Sequence, residues 1–284
     1  MASIALLLVS LAVLAAVSPL YFKKQVEAPP VSISPYVYGE DAGATLYNLA
    51  IFFILLTTAT VLVYVLFSRR KALHLFLYFA WFVLSTGVLQ FYAVIYYWSG
   101  LLSEERAVWL IWASLPLGGL VVYLIYKKTG DHLLGFLGSL AGGMFVWLLP
   151  EMTIVALLVM LPLYDYLMVA HGLLGKLVKK TKEATAQKGG KGETPLLGFV
   201  VRLNDMSLGV GDFVIYSMAL TLIAMNFIKL GVFISLASIA IGIACIYVGL
   251  RLTVEIFLKR WGYGPALPFP ILMLSPLIVA AWLI

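Results

Sequence analysis

The chain alternates between long apolar runs and short polar connections. Several of the apolar runs reach the roughly 20 residues that a helix needs to cross the hydrocarbon core of a bilayer. Nine runs can be distinguished, at positions 3–22, 45–67, 72–98, 108–126, 133–149, 152–174, from about 206, 231–257 and 265–284. The long runs do not alternate as barrel strands do, and a helix satisfies its own backbone hydrogen bonds in lipid. The pattern therefore predicts an all-α polytopic membrane protein with nine transmembrane helices.

Composition supports this class and argues against a separate soluble domain. Of the 284 residues, 63% are hydrophobic and 11% are charged, whereas soluble domains have about 25% charged residues. We predict one transmembrane domain over 1–284, with helices 1–6 at about 3–174, a cytoplasmic loop at about 175–205 and helices 7–9 at about 206–284. The first run could instead be a signal peptide, but it lacks a basic leading region and is long enough to span. The single cysteine, Cys245, permits neither a disulfide nor a cysteine-based metal site.

The basic residues give a prediction of membrane orientation. Fifteen of the 19 lysines and arginines fall in the even-numbered connections, at 69–71, 127–128, 176–202 and 251–260. The positive-inside rule places these connections in the cytoplasm. We therefore expect a multi-pass protein of the cell membrane with a cytoplasmic amino terminus and an extracellular carboxyl terminus. The net charge of +6 belongs to these connections, so we expect the lipid bilayer as a partner and no nucleic acid.

Three local patterns bear on how the helices begin and pack. Gly138 and Gly142 have the Gly-x-x-x-Gly spacing that lets another helix approach closely, and we interpret it as a packing feature. Pro150 and the acid after it suit a tight turn followed by a helix start. Arg251 and Glu255 are four residues apart, which predicts an ion pair on one helix face.

Two carboxylates interrupt the apolar runs. Asp165 lies in the sixth run and Asp212 in the seventh. A charge at membrane depth costs several kcal/mol unless it is neutralised, paired or hydrated, so its default interpretation is functional. Asp165 lies roughly 16 Å and Asp212 roughly 15 Å along a helix axis from the basic residues that flank the connecting loop. Because the two helices are expected to be antiparallel neighbours, the carboxylates can face each other at one level as an acid/base dyad.

The ninth run opens with an unusual concentration of prolines, Pro265, Pro268 and Pro270. Proline lacks an amide hydrogen and blocks a regular first helical turn, which leaves backbone carbonyls without helical partners. Such backbone occurs at membrane depth only where it is packed in protein or lines a hydrated cavity. We therefore predict that this segment faces the dyad, and that its free backbone groups could dock an extended substrate by strand addition.

These motifs together resemble those of a known family. Tyr-Asp at 164–165, Gly-x-Gly-Asp at 209–212 and Pro-Ala-Leu at 265–267 form the motif set of the presenilin and signal peptide peptidase family of intramembrane aspartyl proteases. The stretch 208–217, Leu-Gly-Val-Gly-Asp-Phe-Val-Ile-Tyr-Ser, is especially similar to presenilin. The nine-span layout and the short loop between the aspartates resemble a stand-alone prokaryotic, archaeal presenilin homologue.

The resemblance implies a presenilin-like fold and hydrolysis of peptide bonds in transmembrane helices or membrane-retained signal peptides. It implies Asp165 and Asp212 as catalytic residues and no metal or cofactor. The residues expected to bind substrate are Tyr164, Gly209, Gly211, Pro265, Ala266 and Leu267. Tyr164 could hydrogen-bond the dyad or simply pack in the core, and the two glycines would allow close backbone approach and unusual dihedral angles beside the aspartate.

The chemistry expected of such a dyad follows from like-charge repulsion. Two carboxylates about 3 Å apart in a low-dielectric site share one proton. The ionised group activates a water, while the protonated group polarises the scissile carbonyl and then assists departure of the amine. Two alternatives remain open at this stage. A prepilin-type peptidase also uses Gly-x-Gly-Asp with a second aspartate, and a proton-coupled transporter can bury two carboxylates beside broken helices.

Overall fold

The structure of the chain is a computed structural model that describes residues 3–22, 35–37, 39–66, 69–170, 200–203, 206–258 and 264–284. Nine α-helices lie within these residues. They are α1 (Ser3–Phe22), α2 (Ala42–Leu66), α3 (Arg70–Trp98), α4 (Glu104–Tyr126), α5 (Asp131–Leu148), α6 (Glu151–Ala170), α7 (Val210–Phe227), α8 (Val232–Thr253) and α9 (Pro268–Trp282). A 3-10 turn, Ile228–Leu230, follows α7, and a π-helical segment, Val254–Leu258, follows α8.

Seven of these helices are long and apolar enough to cross a membrane. They are α1 to α5, α7 and α8. In the part of the chain that the structure describes, α6 and the 15-residue apolar α9 fall outside this set. The prediction of a mainly α-helical chain with several membrane-spanning helices is confirmed, whereas the count of nine spans stays a prediction.

A short β-hairpin precedes α7, where the sequence predicts helix from about Met206. Strand β1 (Val200–Leu203) pairs antiparallel with β2 (Met206–Gly209), so the predicted start of the seventh helix is wrong by four residues. The reason is visible in the pairing. Val201 and Leu208 are opposite each other and buried, whereas Arg202 and Ser207 are opposite each other and exposed. This period of two is that of a half-buried strand. Most of the predicted cytoplasmic loop, residues 171–199, lies outside the described residues.

Helix α7 forms the centre of the bundle. Every residue from 215 to 224 is buried, as expected for a helix that is apolar on all faces and enclosed by other helices. Helix α5 packs directly on it because Gly138 and Gly142 leave room for its backbone. A methyl group added at Gly142 would overlap the Val214 carbonyl oxygen, and one added at Gly138 would lie 2.8 Å from Val210 Cγ1. The packing interpretation of this glycine pair is confirmed.

The remaining helices surround this pair. Helix α1 packs on α5, where the Trp147 indole donates a hydrogen bond of 3.1 Å to the Ala16 carbonyl. Helix α9 lies against α8 at Gly249, where an added methyl group would overlap the backbone of Pro270. The predicted ion pair between Arg251 and Glu255 is not formed in the described part of the chain. The Arg251 guanidinium lies over the Tyr247 ring instead, and the π-helical segment that begins at residue 254 changes the spacing on which the prediction relied.

Helix α6 is attached near its first turns through polar contacts. The Glu40 carboxylate accepts hydrogen bonds from the Glu151 amide (3.0 Å) and the Met152 amide (3.1 Å), which are the first two amides of the helix. Asn48, on α2, is completely buried and donates to Thr153 Oγ1 at 3.2 Å. The two bonds to Glu40 satisfy amides that a helix start leaves without intrahelical partners. Together with the Asn48 bond they fix the end of α6 opposite to Asp165. The predicted helix start after Pro150 is therefore confirmed.

Candidate active site

Asp165 lies on α6 and its side chain is half-buried. Its Oδ2 accepts a hydrogen bond of 3.3 Å from the Leu267 amide. Leu267 is the N-cap residue of α9, so the two partners belong to segments 102 residues apart. This bond joins the Tyr-Asp motif to the Pro-Ala-Leu motif across the bundle.

Asp212 occupies the third position of α7 and is also half-buried. Its Oδ2 accepts a hydrogen bond of 2.9 Å from the Gly209 amide, which belongs to the N-cap residue of its own helix. This is the carboxylate half of a capping box. The other half is missing, because glycine has no side chain to return the bond. The first turn of a helix is also where the helix dipole favours negative charge.

The two carboxyl groups lie on helices that are linked through the start of α9. The Leu267 amide donates to Asp165, and the hydroxyl of Tyr216, four residues after Asp212 on α7, donates to the carbonyl of the same peptide unit. Three segments distant in sequence therefore meet at one place, namely α6, the start of α7 and the start of α9. Two half-buried carboxyl groups therefore lie on neighbouring helices at this junction.

The Pro-Ala-Leu segment lies against this pair in irregular backbone. Residues 265–267 precede the first turn of α9, and Pro265 and Leu267 are buried while Ala266 is half-buried. The prediction that prolines displace the helix start is confirmed. The prediction that this backbone is free to bind a substrate is wrong for the peptide unit between Ala266 and Leu267. Its carbonyl accepts a hydrogen bond from the Tyr216 hydroxyl, and its amide donates to Asp165.

Other predicted site residues have different environments. The Tyr164 ring packs on Phe53 with 5.9 Å between the centroids, and in the described part of the chain it makes no hydrogen bond with the aspartates. Gly209 has ordinary extended backbone, with φ −65° and ψ 145°, and neither it nor Gly211 has positive φ. The expectation of unusual dihedral angles is therefore wrong. Gly209 does approach closely, because an added methyl group would lie 3.3 Å from Asp212 Oδ2. Gly211 is exposed, with open space where its side chain would be.

The site contains one residue that sequence reasoning did not identify. Tyr216 is buried, with 2% of its surface exposed, and its hydroxyl donates a hydrogen bond of 2.7 Å to the Ala266 carbonyl. The available signal was its position four residues after Asp212, which places both side chains on one face of a helix.

The described residues contain no group of three or more His, Cys, Asp or Glu side chains that could hold a metal ion. Comparison with protein-family models found no match to the chain, and comparison with curated proteins found no significant match. The interpretation of the site therefore depends on its geometry and on the sequence motifs that form it.

Proposed function

We propose that the chain is an intramembrane aspartyl protease that hydrolyses peptide bonds of transmembrane helices or of membrane-retained signal peptides. The observation that carries the proposal is that the helices bearing Asp165 and Asp212 are linked through one peptide unit at the start of α9. The Leu267 amide of that unit donates to Asp165, and the Ala266 carbonyl accepts from Tyr216 on the helix of Asp212. A lone acid in a membrane helix has several uses. Two acids that meet in an otherwise apolar bundle have the arrangement that acid/base hydrolysis of an amide requires.

The proposed reaction needs only water and the two carboxyl groups. The ionised carboxylate takes a proton from a water molecule as its oxygen attacks the scissile carbonyl carbon, and the protonated carboxyl group donates to the carbonyl oxygen. Collapse of the tetrahedral intermediate breaks the carbon–nitrogen bond. The carboxyl group that took the proton of water passes it to the leaving amine, and the other carboxylate takes back a proton from a hydroxyl of the intermediate as the new carboxylic acid forms. The dyad titrates as a unit, so the rate falls when both groups are protonated and again when both are ionised.

The surroundings of the dyad suggest where a substrate lies. A substrate helix must unwind before its peptide bond becomes accessible, and an extended segment can add to the open edge of a sheet. The hairpin of β1 and β2 ends one residue before α7 begins and is therefore adjacent to Asp212. Exposed Gly211 lies beside that aspartate and leaves space for the substrate backbone. Pro265 and Leu267 are buried, and the Leu267 amide binds Asp165, so we expect the substrate to lie between this segment and the hairpin.

We also propose that the chain crosses the cell membrane nine times in a presenilin-like fold, with its amino terminus in the cytoplasm. The order of nine α-helices in the described residues supports the count. The concentration of basic residues in alternate connections supports the orientation. With this orientation the dyad lies in the cytoplasmic half of the bilayer, and transmembrane helices reach it from the lipid.

The test is cleavage of a single-span reporter protein in liposomes by the purified chain, with the products identified by mass spectrometry. We expect Asp165→Asn and Asp212→Asn each to reduce cleavage by at least about a thousandfold, and the double variant to be no worse than either, because the two act as one unit. Glu105→Gln, an exposed acid in the first turn of α4, serves as the matched control and should retain activity. Cleavage that survives in either folded aspartate variant contradicts the proposal.

The same preparations separate the alternatives. A proton-coupled transporter would leave the reporter intact and move protons when a substrate gradient is applied, and the aspartate variants would lose that movement. A prepilin-type peptidase would cleave beside the first apolar segment of a pilin-like precursor and leave an ordinary transmembrane reporter intact.

A further inference from the structure

Tyr216 lies one helical turn after Asp212 on the central helix α7. Residues four apart share a helix face, so this ring is directed to the same side of α7 as the carboxylate. The ring is buried. Its hydroxyl, however, donates its hydrogen bond to neither carboxylate. It donates to the Ala266 carbonyl at 2.7 Å.

That carbonyl belongs to a peptide unit with a second contact in the site. The Ala266 carbonyl and the Leu267 amide are the two polar groups of one planar peptide. The Leu267 amide donates to Asp165 Oδ2 at 3.3 Å. Because the unit is rigid, holding its carbonyl also sets the direction in which its amide points. Tyr216, which lies on the same helix as Asp212, thus controls the hydrogen bond from the Leu267 amide to Asp165.

The proline-rich sequence explains why a side chain is needed here. In a regular helix the Ala266 carbonyl would accept a bond from the amide four residues later. That residue is Pro270, which has no amide hydrogen. A carbonyl that is partly withdrawn from water loses free energy if it has no partner, and the Tyr216 hydroxyl supplies the missing donor.

We propose that Tyr216 is a positioning residue for the dyad. It fixes the plane of the 266–267 peptide so that the Leu267 amide holds the Asp165 carboxyl group in its orientation within the proposed dyad. This inference rests on the proposed proteolytic function and adds a residue to it. The hydroxyl proton is already committed to the Ala266 carbonyl, so Tyr216 acts through that peptide and does not touch the reacting atoms.

The main test is Tyr216→Phe, which removes only the hydroxyl, with Tyr92→Phe as the matched control. Tyr92 is also buried, and its hydroxyl donates to a backbone carbonyl, that of Leu140, at 2.9 Å. We expect Tyr216→Phe to lower kcat about tenfold, the scale of one hydrogen bond, with KM changed less than twofold. Tyr92→Phe should keep the kcat of the unaltered chain. Equal kcat in both variants overturns the inference.

A second variant tests the route through the peptide. Ala266→Gly leaves both hydrogen-bonding groups in place but loosens the backbone that carries them. It should lower kcat several-fold by itself, and the double variant with Tyr216→Phe should be no slower than Tyr216→Phe alone. Multiplying effects in the double variant, or an Ala266→Gly chain with unchanged kcat, contradicts the mechanism.

The experiments distinguish an error in the protease hypothesis from an error in the role given to Tyr216. If the protease hypothesis is wrong, the unaltered chain does not cleave the reporter, or the aspartate variants still do. If only the inference about Tyr216 is wrong, cleavage depends on both aspartates and is indifferent to the tyrosine hydroxyl.

Discussion

Among the described glycines, Gly142 is the one where an added methyl group would come closest to a neighbouring atom. It lies on α5 against the central helix α7. An alanine methyl group there would overlap the Val214 carbonyl oxygen, and would lie 2.9 Å from the Val214 carbonyl carbon and 3.0 Å from the Met218 amide nitrogen. All three atoms belong to the backbone of α7, so no flexible side chain can move aside. The two helices must separate to accommodate the substitution.

The size of the effect follows from two opposing contributions. Overpacking in a close-packed interior costs about 1–3 kcal/mol, and rigid backbone on the other side places this case near about 3 kcal/mol. Alanine is favoured over glycine within a helix by about 1 kcal/mol. We therefore expect Gly142→Ala to lower the free energy of unfolding by about 2 kcal/mol. At about 2–4 °C per kcal/mol, as for soluble domains of 150–250 residues, this lowers Tm by roughly 4–8 °C.

Thermal unfolding can be followed in detergent through the single thiol. Cys245 is half-buried on α8 and becomes accessible to a thiol-reactive dye when the bundle opens. The matched control is Gly119→Ala on α4, where an added methyl group has no neighbour within 4 Å and the residue is exposed. This control should keep or slightly raise Tm. If Gly142→Ala and Gly119→Ala unfold at the same temperature, the close approach of α5 and α7 is not as described here.

Two further predictions concern the connections. Glu40→Gln should lower the free energy of unfolding by about 1 kcal/mol, because a side-chain amide can accept only one of the two bonds from the first backbone amides of α6. Thermal unfolding measures this loss, and Glu255→Gln, which changes an exposed acid outside any such cap, should leave Tm unchanged. In a Cys245→Ala background, an impermeant thiol reagent should label Val37→Cys only from outside the cell and Lys71→Cys only from the cytoplasm. The reverse labelling pattern would contradict the proposed cytoplasmic amino terminus.

Much of the fold can be predicted from hydrophobic periodicity, because each membrane helix is a local feature. The boundaries of α1 to α5 fall within four residues of the predicted runs. The hairpin is different. Met206–Gly209 continues the apolar run of α7, and it becomes a strand only because Val200–Leu203 lies beside it. Pairing between segments is a tertiary effect, and the alternation of exposed and buried residues is too short here to compete with the helical pattern.

The candidate site shows the same division between local and long-range information. The aspartates stand out because charges are rare in membrane helices. The segment at 265–270 stands out because it places three prolines within six residues. The hydrogen bonds made by the backbone of the 266–267 peptide could not be predicted from the sequence. The Ala266 carbonyl is bound by a side chain from α7 and the Leu267 amide by a side chain from α6, and both bonds depend on how three helices pack. The prediction of free backbone at this peptide failed for that reason.

The two aspartates share an arrangement that gives a physical reason for these motifs. Asp212 accepts from the Gly209 amide, the N-cap residue of α7, and Asp165 accepts from the Leu267 amide, the N-cap residue of α9. Each carboxyl group therefore lies at the positive end of a helix, where backbone amides favour negative charge. In an apolar bundle with few counter-charges, two converging helix starts offset part of the cost of burying the dyad. Gly-x-Gly-Asp and Pro-Ala-Leu are both sequences that interrupt an apolar run and begin a helix. Their common requirement is the start of a helix directed at an acid.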